Sequence, residues 1–69
     1  MEKILKQSID RIDIDVRILN LLKENGINTI KDICRKSKTD LKELTLSFQE
    51  INKIQVELQL LGLNLKGGL

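Results

Sequence analysis

The sequence has no histidine, tryptophan, tyrosine or proline, and it has one cysteine and one phenylalanine. Without histidine, the chain lacks the usual general base of enzymes and the commonest protein ligand of metal ions. The cysteine and the carboxylates show no spacing typical of a metal site, and no glycine-rich phosphate-binding loop occurs. We therefore expect a domain that is not an enzyme and that holds no metal and no cofactor.

The near absence of aromatic residues also excludes a surface on which the bases of single-stranded nucleic acids stack. A single cysteine cannot form an intrachain disulfide, and a lone thiol is compatible with a reducing compartment. Residues 1–6 lack the continuous apolar run of a signal peptide, and no stretch is long and apolar enough to span a bilayer. The expectation is a cytoplasmic binding module without a membrane partner.

The sequence is rich in both charged and aliphatic residues. Its 69 residues suit one small domain, 41% of them are hydrophobic, and the formal net charge is only +2. This composition can form a core, so wholesale disorder is not expected. We expect a single helical domain over residues 1–65, with a loosely held chain after residue 63 and a flexible tail at residues 66–69.

Polar capping residues mark where each helix begins. The predicted N-caps are Asp15, Thr29, Thr39 and Ser47. Two of these have an acidic residue three positions later, in the spacing of a capping box, and Gly26 and Gly62 are suitable C′ residues. A short helical turn and an extended lead-in are expected over residues 8–15. The helices are predicted at residues 16–25, 29–36, 40–44 and 48–61.

Apolar residues at helical spacing predict the core. The predicted core residues are Val16, Leu19, Leu22, Ile30, Ile33, Leu44, Ile51, Ile54 and Leu58. Cys34 falls on the apolar face of its helix, which indicates a packed thiol rather than a nucleophile. No alternation typical of a strand lasts long enough to build a sheet. The sequence therefore predicts an all-α fold, a compact bundle of four to five short helices.

The helix over residues 16–25 carries an apolar stripe too wide for one buried face. Either this helix is central and nearly enclosed, or Ile18 or Leu21 stays exposed for a protein partner. Arg17 and Asn20 share a face near the helix N-terminus. Such a pair can enter the narrow minor groove of DNA, although arginine and asparagine on a helix surface are commonly just solvated.

A basic run follows in the middle of the sequence. It consists of Lys31, Arg35, Lys36, Lys38 and Lys42, and it is interrupted by Asp32 and Asp40. It is compatible with a solvated helix face whose cations lie near a helix C-terminus. The solvated face is favoured, and the alternative is a surface that meets phosphates or an acidic protein.

Residues 8–33, SIDRIDIDVRILNLLKENGINTIKDI, together with the LGL of residues 61–63, resemble the C-terminal domain of the bacterial RNA polymerase alpha subunit. The residues that match the family pattern are Ile12, Val16, Arg17, Asn20, Leu22, Lys23, Gly26, Ile27, Thr29 and Asp32. The resemblance covers about residues 4–65. It implies four helices and a nonstandard turn, related to helix-hairpin-helix (SAM-like) units, in a non-catalytic transcription module.

The resemblance also implies where ligands bind. Arg17 and Asn20 match the family residues that contact A/T-rich minor groove and the adjacent phosphate in upstream promoter DNA. A second DNA contact lies in the loop that opens the last helix, and it adds Lys42, Ser47 and Gln49 to the expected DNA-binding residues. The expected protein partners are sigma factor, transcription activators and the rest of RNA polymerase. The expected partner-binding residues are Ile18, Leu19, Leu21 and Lys23.

The loop that opens the last helix departs from the family pattern. The family typically has NLGKKSLEE at this place, preceded by a lysine, and residues 45–53 are the corresponding segment here. Ser47 replaces the glycine of that motif, Gln49 replaces a lysine, and Glu50 replaces the serine that faces phosphate. Glu43 replaces the upstream lysine. A carboxylate at this place can satisfy the N–H groups of the helix start itself, and its charge opposes phosphate. We therefore expect weak binding to A/T-rich duplex DNA. The alternative is a protein-interaction module of the same fold that has lost DNA binding and uses an exposed apolar rim around Ile18 and Leu21.

Overall fold

Five α-helices and one 3-10 turn follow one another along residues 2–67, which are the part of the protein described by this computed structural model. The elements are α1 (Glu2–Leu5), the 3-10 turn (Ile9–Arg11), α2 (Val16–Glu24), α3 (Ile30–Cys34), α4 (Lys38–Glu43) and α5 (Phe48–Leu60). Over the same residues, β-type pairing is limited to one antiparallel bridge between Ser8 and Thr29. The all-α prediction is confirmed, although α1, which packs against α3, is not predicted.

The ends of α2 form as the sequence predicts. The Asp15 side chain accepts a hydrogen bond from the Arg17 N–H group at 2.8 Å. At the other end, Gly26 adopts a φ of 79°, which lets the Ile27 N–H group reach back to the Leu22 carbonyl at 2.9 Å. The helix is therefore fixed at both ends by local interactions, and Arg17 occupies its first turn.

The start of α4 differs from the prediction. Ser37, not Thr39, is the N-cap: the Ser37 hydroxyl accepts from the Asp40 N–H group at 3.1 Å, and the Asp40 carboxylate accepts from the Ser37 N–H group at 3.0 Å. This reciprocal box requires an extended backbone at Ser37, so α3 ends early, at Cys34. The prediction that Thr39 caps this helix is wrong, because two hydrogen bonds favour the earlier start.

The core is a single apolar cluster. Its buried residues are Ile9, Ile12, Ile18, Leu19, Leu22, Ile27, Ile30, Ile33, Leu41, Leu46, Ile51, Ile54, Leu58 and Leu65. Two predicted core residues lie outside it. Val16 is 65% exposed, because it lies beside rather than within the arc of α2 that faces the core. Leu44 is half-buried, since α4 has ended at Glu43 and Leu44 only borders the cluster.

The segment after α5 packs back onto the domain. The Leu63 N–H group donates to the Leu58 carbonyl at 2.8 Å, and Leu65 is 3% exposed. The Lys66 N–H group donates to the Lys36 carbonyl at 3.0 Å. Residues 64–65 therefore pack on the domain, where the sequence predicts a loosely held chain, and the flexible tail at residues 66–69 stays a prediction. Residues 68–69 of the expected tail lie outside the described residues. No helix within residues 2–67 is long and apolar enough to cross a membrane.

Candidate functional site

Arg17 projects from the first turn of α2 into solvent. Its side chain is 88% exposed, and its Nε lies 3.6 Å from Oδ1 of Asp15, the N-cap residue. An ion pair between two exposed side chains is weak, because water screens both charges. The guanidinium is thus held near the helix N-terminus but stays available to another anion. Asn20 is also exposed and lies on the same face of α2, one turn further along.

An open cleft separates the start of α2 from the loop between α4 and α5. It has a volume of about 210 Å³ and is lined by Arg17, Ile18, Leu21, Thr45, Leu46 and Glu50. The fold therefore brings Arg17 next to the loop in which the second set of contacts is expected. Lys42, Ser47 and Gln49 are all exposed, but none of them lines the cleft.

The N-terminus of α5 is closed by its own side chains. The Glu50 Oε1 atom accepts from the Ser47 N–H group at 2.7 Å, and the Ser47 Oγ atom accepts from the Glu50 N–H group at 3.1 Å. The predicted capping box is confirmed. Two of the N–H groups that a helix start can offer to an anion are already engaged, and a negative charge stands beside them.

Thr45 gives the loop its shape. Its φ is 68°, in the left-handed region that β-branched residues rarely adopt, and its hydroxyl donates to the carbonyl of Leu44. The reversal at Thr45 is followed by Leu46, which is 6% exposed and packs in the core. The strained residue therefore lies on one wall of the cleft, opposite Arg17. Sequence reasoning did not find Thr45, because a threonine carries no signal for this conformation.

The expected apolar rim on α2 is largely absent. Ile18 and Leu19 are 7% and 8% exposed, so the alternative in which Ile18 stays exposed for a partner does not hold. Both side chains fall within the arc of α2 that packs on the core. Ile18 and Leu21 both line the cleft, but only Leu21 is half-buried there. This favours the enclosed position that the wide stripe of α2 also allowed.

Lys23, the fourth expected partner-binding residue, is engaged within the domain. Its Nζ atom lies 3.0 Å from both carboxylate oxygens of Asp10. This contact and the Ser8 hydroxyl lower the pKa of Asp10. Lys23 thereby ties α2 to the 3-10 turn, and any partner would have to compete with that ion pair.

Apolar side chains are exposed elsewhere on the molecule. Leu60 is 75% exposed, Phe48 71%, Val16 65% and Val56 40%. Three of these lie on α5, so the apolar surface that remains open belongs mainly to the last helix rather than to α2. The predicted stripe of Ile51, Ile54 and Leu58 is buried, and the three exposed residues of α5 lie outside that stripe.

Within residues 2–67, no three histidine, cysteine, aspartate or glutamate side chains are placed to hold a metal ion. Cys34 packs against the core as predicted, and burial raises the pKa of its thiol, an effect that the Asn64 N–H group opposes. A thiol with a raised pKa is a poor nucleophile, because it stays protonated.

Comparison with known proteins agrees with the resemblance noted above. The sequence model that describes the C-terminal domain of the bacterial RNA polymerase alpha subunit matches residues 1–59. Over 66 residues, the protein is 35% identical to the DNA-directed RNA polymerase subunit alpha of Clostridium botulinum strain Hall. It is 38% identical over 66 residues to that of Heliobacterium modesticaldum and 35% identical over 66 residues to that of Oceanobacillus iheyensis. Each match covers 94% of this sequence and 21% of the relative, so the sequence spans about a fifth of the length of these proteins.

Proposed function

The protein belongs to the family of C-terminal domains of bacterial RNA polymerase alpha subunits, and from this membership we propose that it is a non-catalytic, cytoplasmic transcription module that binds A/T-rich upstream promoter DNA weakly. The membership supports a role in transcription. The DNA contact is proposed from the residues themselves. Catalysis is no part of the proposal, because the sequence matches only the C-terminal part of the alpha subunit.

The exposed guanidinium of Arg17 carries the proposal. It stands at the start of a helix, only weakly paired with Asp15, on the wall of a cleft that faces the α4–α5 loop. A guanidinium suits the narrow and electronegative minor groove of A/T-rich DNA. Asn20, one turn further along the same face, can add a hydrogen bond to a base edge or to a phosphate. Lys42, Ser47 and Gln49 are proposed as the remaining contacts.

Weak binding follows from the start of α5. The Ser47–Glu50 capping box occupies N–H groups that could otherwise hold a phosphate, and the Glu50 carboxylate repels one. A net charge of +2 also adds little long-range attraction to DNA. The affinity that remains should therefore depend on Arg17 and on few phosphate contacts.

A salt titration with an A/T-rich duplex tests the proposal. Fluorescence anisotropy should give a shallow dependence of the binding constant on salt, corresponding to about one or two phosphates at a slope of about −0.9 each. Arg17→Ala should abolish binding, whereas Arg11→Ala, which removes an exposed arginine from the 3-10 turn, should not. Duplex binding that survives Arg17→Ala would refute the assignment.

The capping box favours one alternative, a protein-interaction module of the same fold that has lost DNA binding. Its partners would be sigma factor, transcription activators or the rest of RNA polymerase. Of the expected partner-binding residues, Leu21 at the cleft and Lys23 beside Asp10 are the two that reach the surface. Calorimetric binding to purified sigma factor without any salt-dependent duplex binding would replace the first proposal with this one.

A further inference from the structure

A second charged surface lies at the end of α2 that is remote from Arg17. It is a depression of about 320 Å³, lined by Asn25, Gly26, Asp32, Arg35, Lys36 and Lys66. Three of these six residues are cations, and they come from two segments that are distant in the sequence. Of the basic run of residues 31–42, only Arg35 and Lys36 line the depression, because the fold separates them from the other members of the run. Lys66 joins them from the segment after α5.

Backbone contacts fix the position of this depression. The Lys66 N–H group donates to the Lys36 carbonyl at 3.0 Å, so the two lysines are held side by side. Leu65, the residue before Lys66, is buried in the core at 3% exposure. The juxtaposition of the cations is thus a product of the tertiary fold.

The three cations form no close ion pair within the described part of the domain. Among the ion pairs of residues 2–67, none involves Arg35, Lys36 or Lys66. Two carboxylates lie near them. The backbone N–H groups of Asn28 and Thr29 chiefly lower the pKa of Asp32, and Arg35 adds to this effect. Ser37 chiefly lowers the pKa of Asp40, to which Lys36 and Lys66 also contribute. The lining of the depression holds three cations and one carboxylate, Asp32, so this concave surface is net positive.

We propose that this depression binds an acidic segment of a partner protein, with Arg35, Lys36 and Lys66 pairing with aspartate or glutamate side chains. Guanidinium and ammonium groups in a concave surface suit separate carboxylates. A protein is favoured over a nucleic acid by the charges next to the depression. An adjoining depression shares Asn25 and Lys36 and is lined also by Asp40 and Glu43. A continuous phosphate backbone would meet these carboxylates, whereas a protein segment can place a basic residue against them.

Protein binding at this depression goes beyond the proposed function and does not depend on the DNA contact proposed for Arg17. α2 has nine residues, so its two ends are about 13 Å apart along the helix axis. A partner bound at the depression therefore leaves Arg17 free for DNA. Each site can be tested by variants that leave the other unchanged.

The test uses a short fluorescent poly-glutamate peptide and the intact protein. The variant Arg35→Gln/Lys36→Gln/Lys66→Gln should weaken peptide binding about tenfold, since each exposed charge pair contributes modestly. The matched control Lys3→Gln/Lys31→Gln/Lys38→Gln removes the same charge from lysines outside the depression and should retain peptide binding. The variant Lys36→Arg/Lys66→Arg, which keeps the charge, should also bind. Melting curves of all variants establish that each is folded.

Amide chemical shifts locate the bound peptide. Titration of the peptide should shift the resonances of residues 25–26, 35–36 and 65–66 and leave those around Arg17 unchanged. An equal loss of binding in the matched control would show general attraction of charge and would overturn the proposal. Loss of A/T-rich duplex binding in the Arg35/Lys36/Lys66 variant would assign the depression to phosphate instead, and would overturn it equally.

Discussion

Glu50 and Ser47 each accept a hydrogen bond from the other residue's backbone N–H group, at 2.7 Å into the Glu50 carboxylate and 3.1 Å into the Ser47 hydroxyl. The pair fixes the start of α5, the longest helix of the domain. The same carboxylate stands on the cleft that Arg17 lines. One side chain therefore stabilises the fold and disfavours phosphate, so stability and DNA affinity are opposed at this position.

Replacing the cap should measure its contribution to stability. Ser47→Ala should lower the free energy of unfolding by about 1 kcal/mol, because the Glu50 N–H group loses its acceptor. Urea denaturation followed by circular dichroism is the measurement. Asn52→Ala, at an exposed position of the same helix, serves as the control and should change stability by less than about 0.5 kcal/mol. An unchanged midpoint for Ser47→Ala would contradict the capping box.

The two candidate caps of α4 can be separated in the same way. Ser37→Ala should cost about 1 kcal/mol, because Ser37 accepts from Asp40. Thr39→Ala should cost nothing or stabilise slightly, since Thr39 lies inside α4, where alanine is the better helix former. A larger loss for Thr39→Ala in urea denaturation would show that α4 begins later in solution.

Ser37 and Thr39 show how well local sequence information predicts the start of a helix. Both Ser37 and Thr39 are good capping residues, and only the acidic residue three positions beyond Ser37 distinguishes them. At Ser47, where the capping box is the basis of the prediction, the helix start is predicted correctly. At Thr39, where the prediction rests on the residue type alone, it is two residues late.

The local sequence pattern does not contain enough information to predict which residues of α2 are buried. The stripe of α2 is too wide to indicate its inner face, and the structure buries Ile18 while it exposes Val16. The elements that pack on α2 determine which of these two residues is buried. The same holds for Lys66, whose place beside Lys36 depends on a contact between residues distant in sequence.

The burial of Ile18 can be tested against the half-buried Leu21. Ile18→Ala should reduce the free energy of unfolding by on the order of 2–4 kcal/mol, because it leaves a cavity in the core. Leu21→Ser should cost only about 1 kcal/mol, since its side chain borders solvent at the cleft. Thermal and urea unfolding measure both. If Leu21→Ser abolished helicity, Leu21 would belong to the core and could not be a docking residue.

Acid should weaken the fold through the capping aspartates. The Asn28 and Thr29 N–H groups, which donate to Asp32, lower its pKa below the ordinary 3.8, and the Ser37 N–H group lowers that of Asp40. A carboxylate whose pKa is lower in the folded state stabilises the fold above its unfolded pKa, and this stabilisation is lost as the pH falls through the folded pKa.

Stability should therefore stay level above about pH 5 and fall as the pH drops below about 4. Asp32→Asn/Asp40→Asn should lower stability at neutral pH and flatten that acid-side slope. Because the cause is short-range hydrogen bonding, the slope should persist in about 0.5 M salt. Thermal unfolding across pH, for the unchanged protein and the double variant, checks this, and an unaltered slope in the double variant would contradict it.

The last prediction concerns the conflict at Glu50. Changing Glu50 to Ser and Gln49 to Lys should strengthen binding to an A/T-rich duplex and steepen its salt dependence by about one phosphate contact. The physical reason is that the change removes a carboxylate from a helix N-terminus and adds a cation beside it. Loss of the capping box should also weaken α5 and hide part of the gain. Anisotropy titrations must therefore be run beside a melting curve.

Glu50→Gln separates these two effects. Glutamine keeps an oxygen that can accept from the Ser47 N–H group but removes the charge, so duplex binding should rise with less loss of stability than in the serine variant. Glu24→Ser/Gln59→Lys makes the same change of charge at two exposed positions away from the cleft and should alter affinity much less. If the control gains as much as the Gln49/Glu50 variant, the gain reflects net charge alone. If the folded Gln49/Glu50 variant gains nothing, the cleft is not a DNA contact, and the protein-interaction module replaces the DNA proposal.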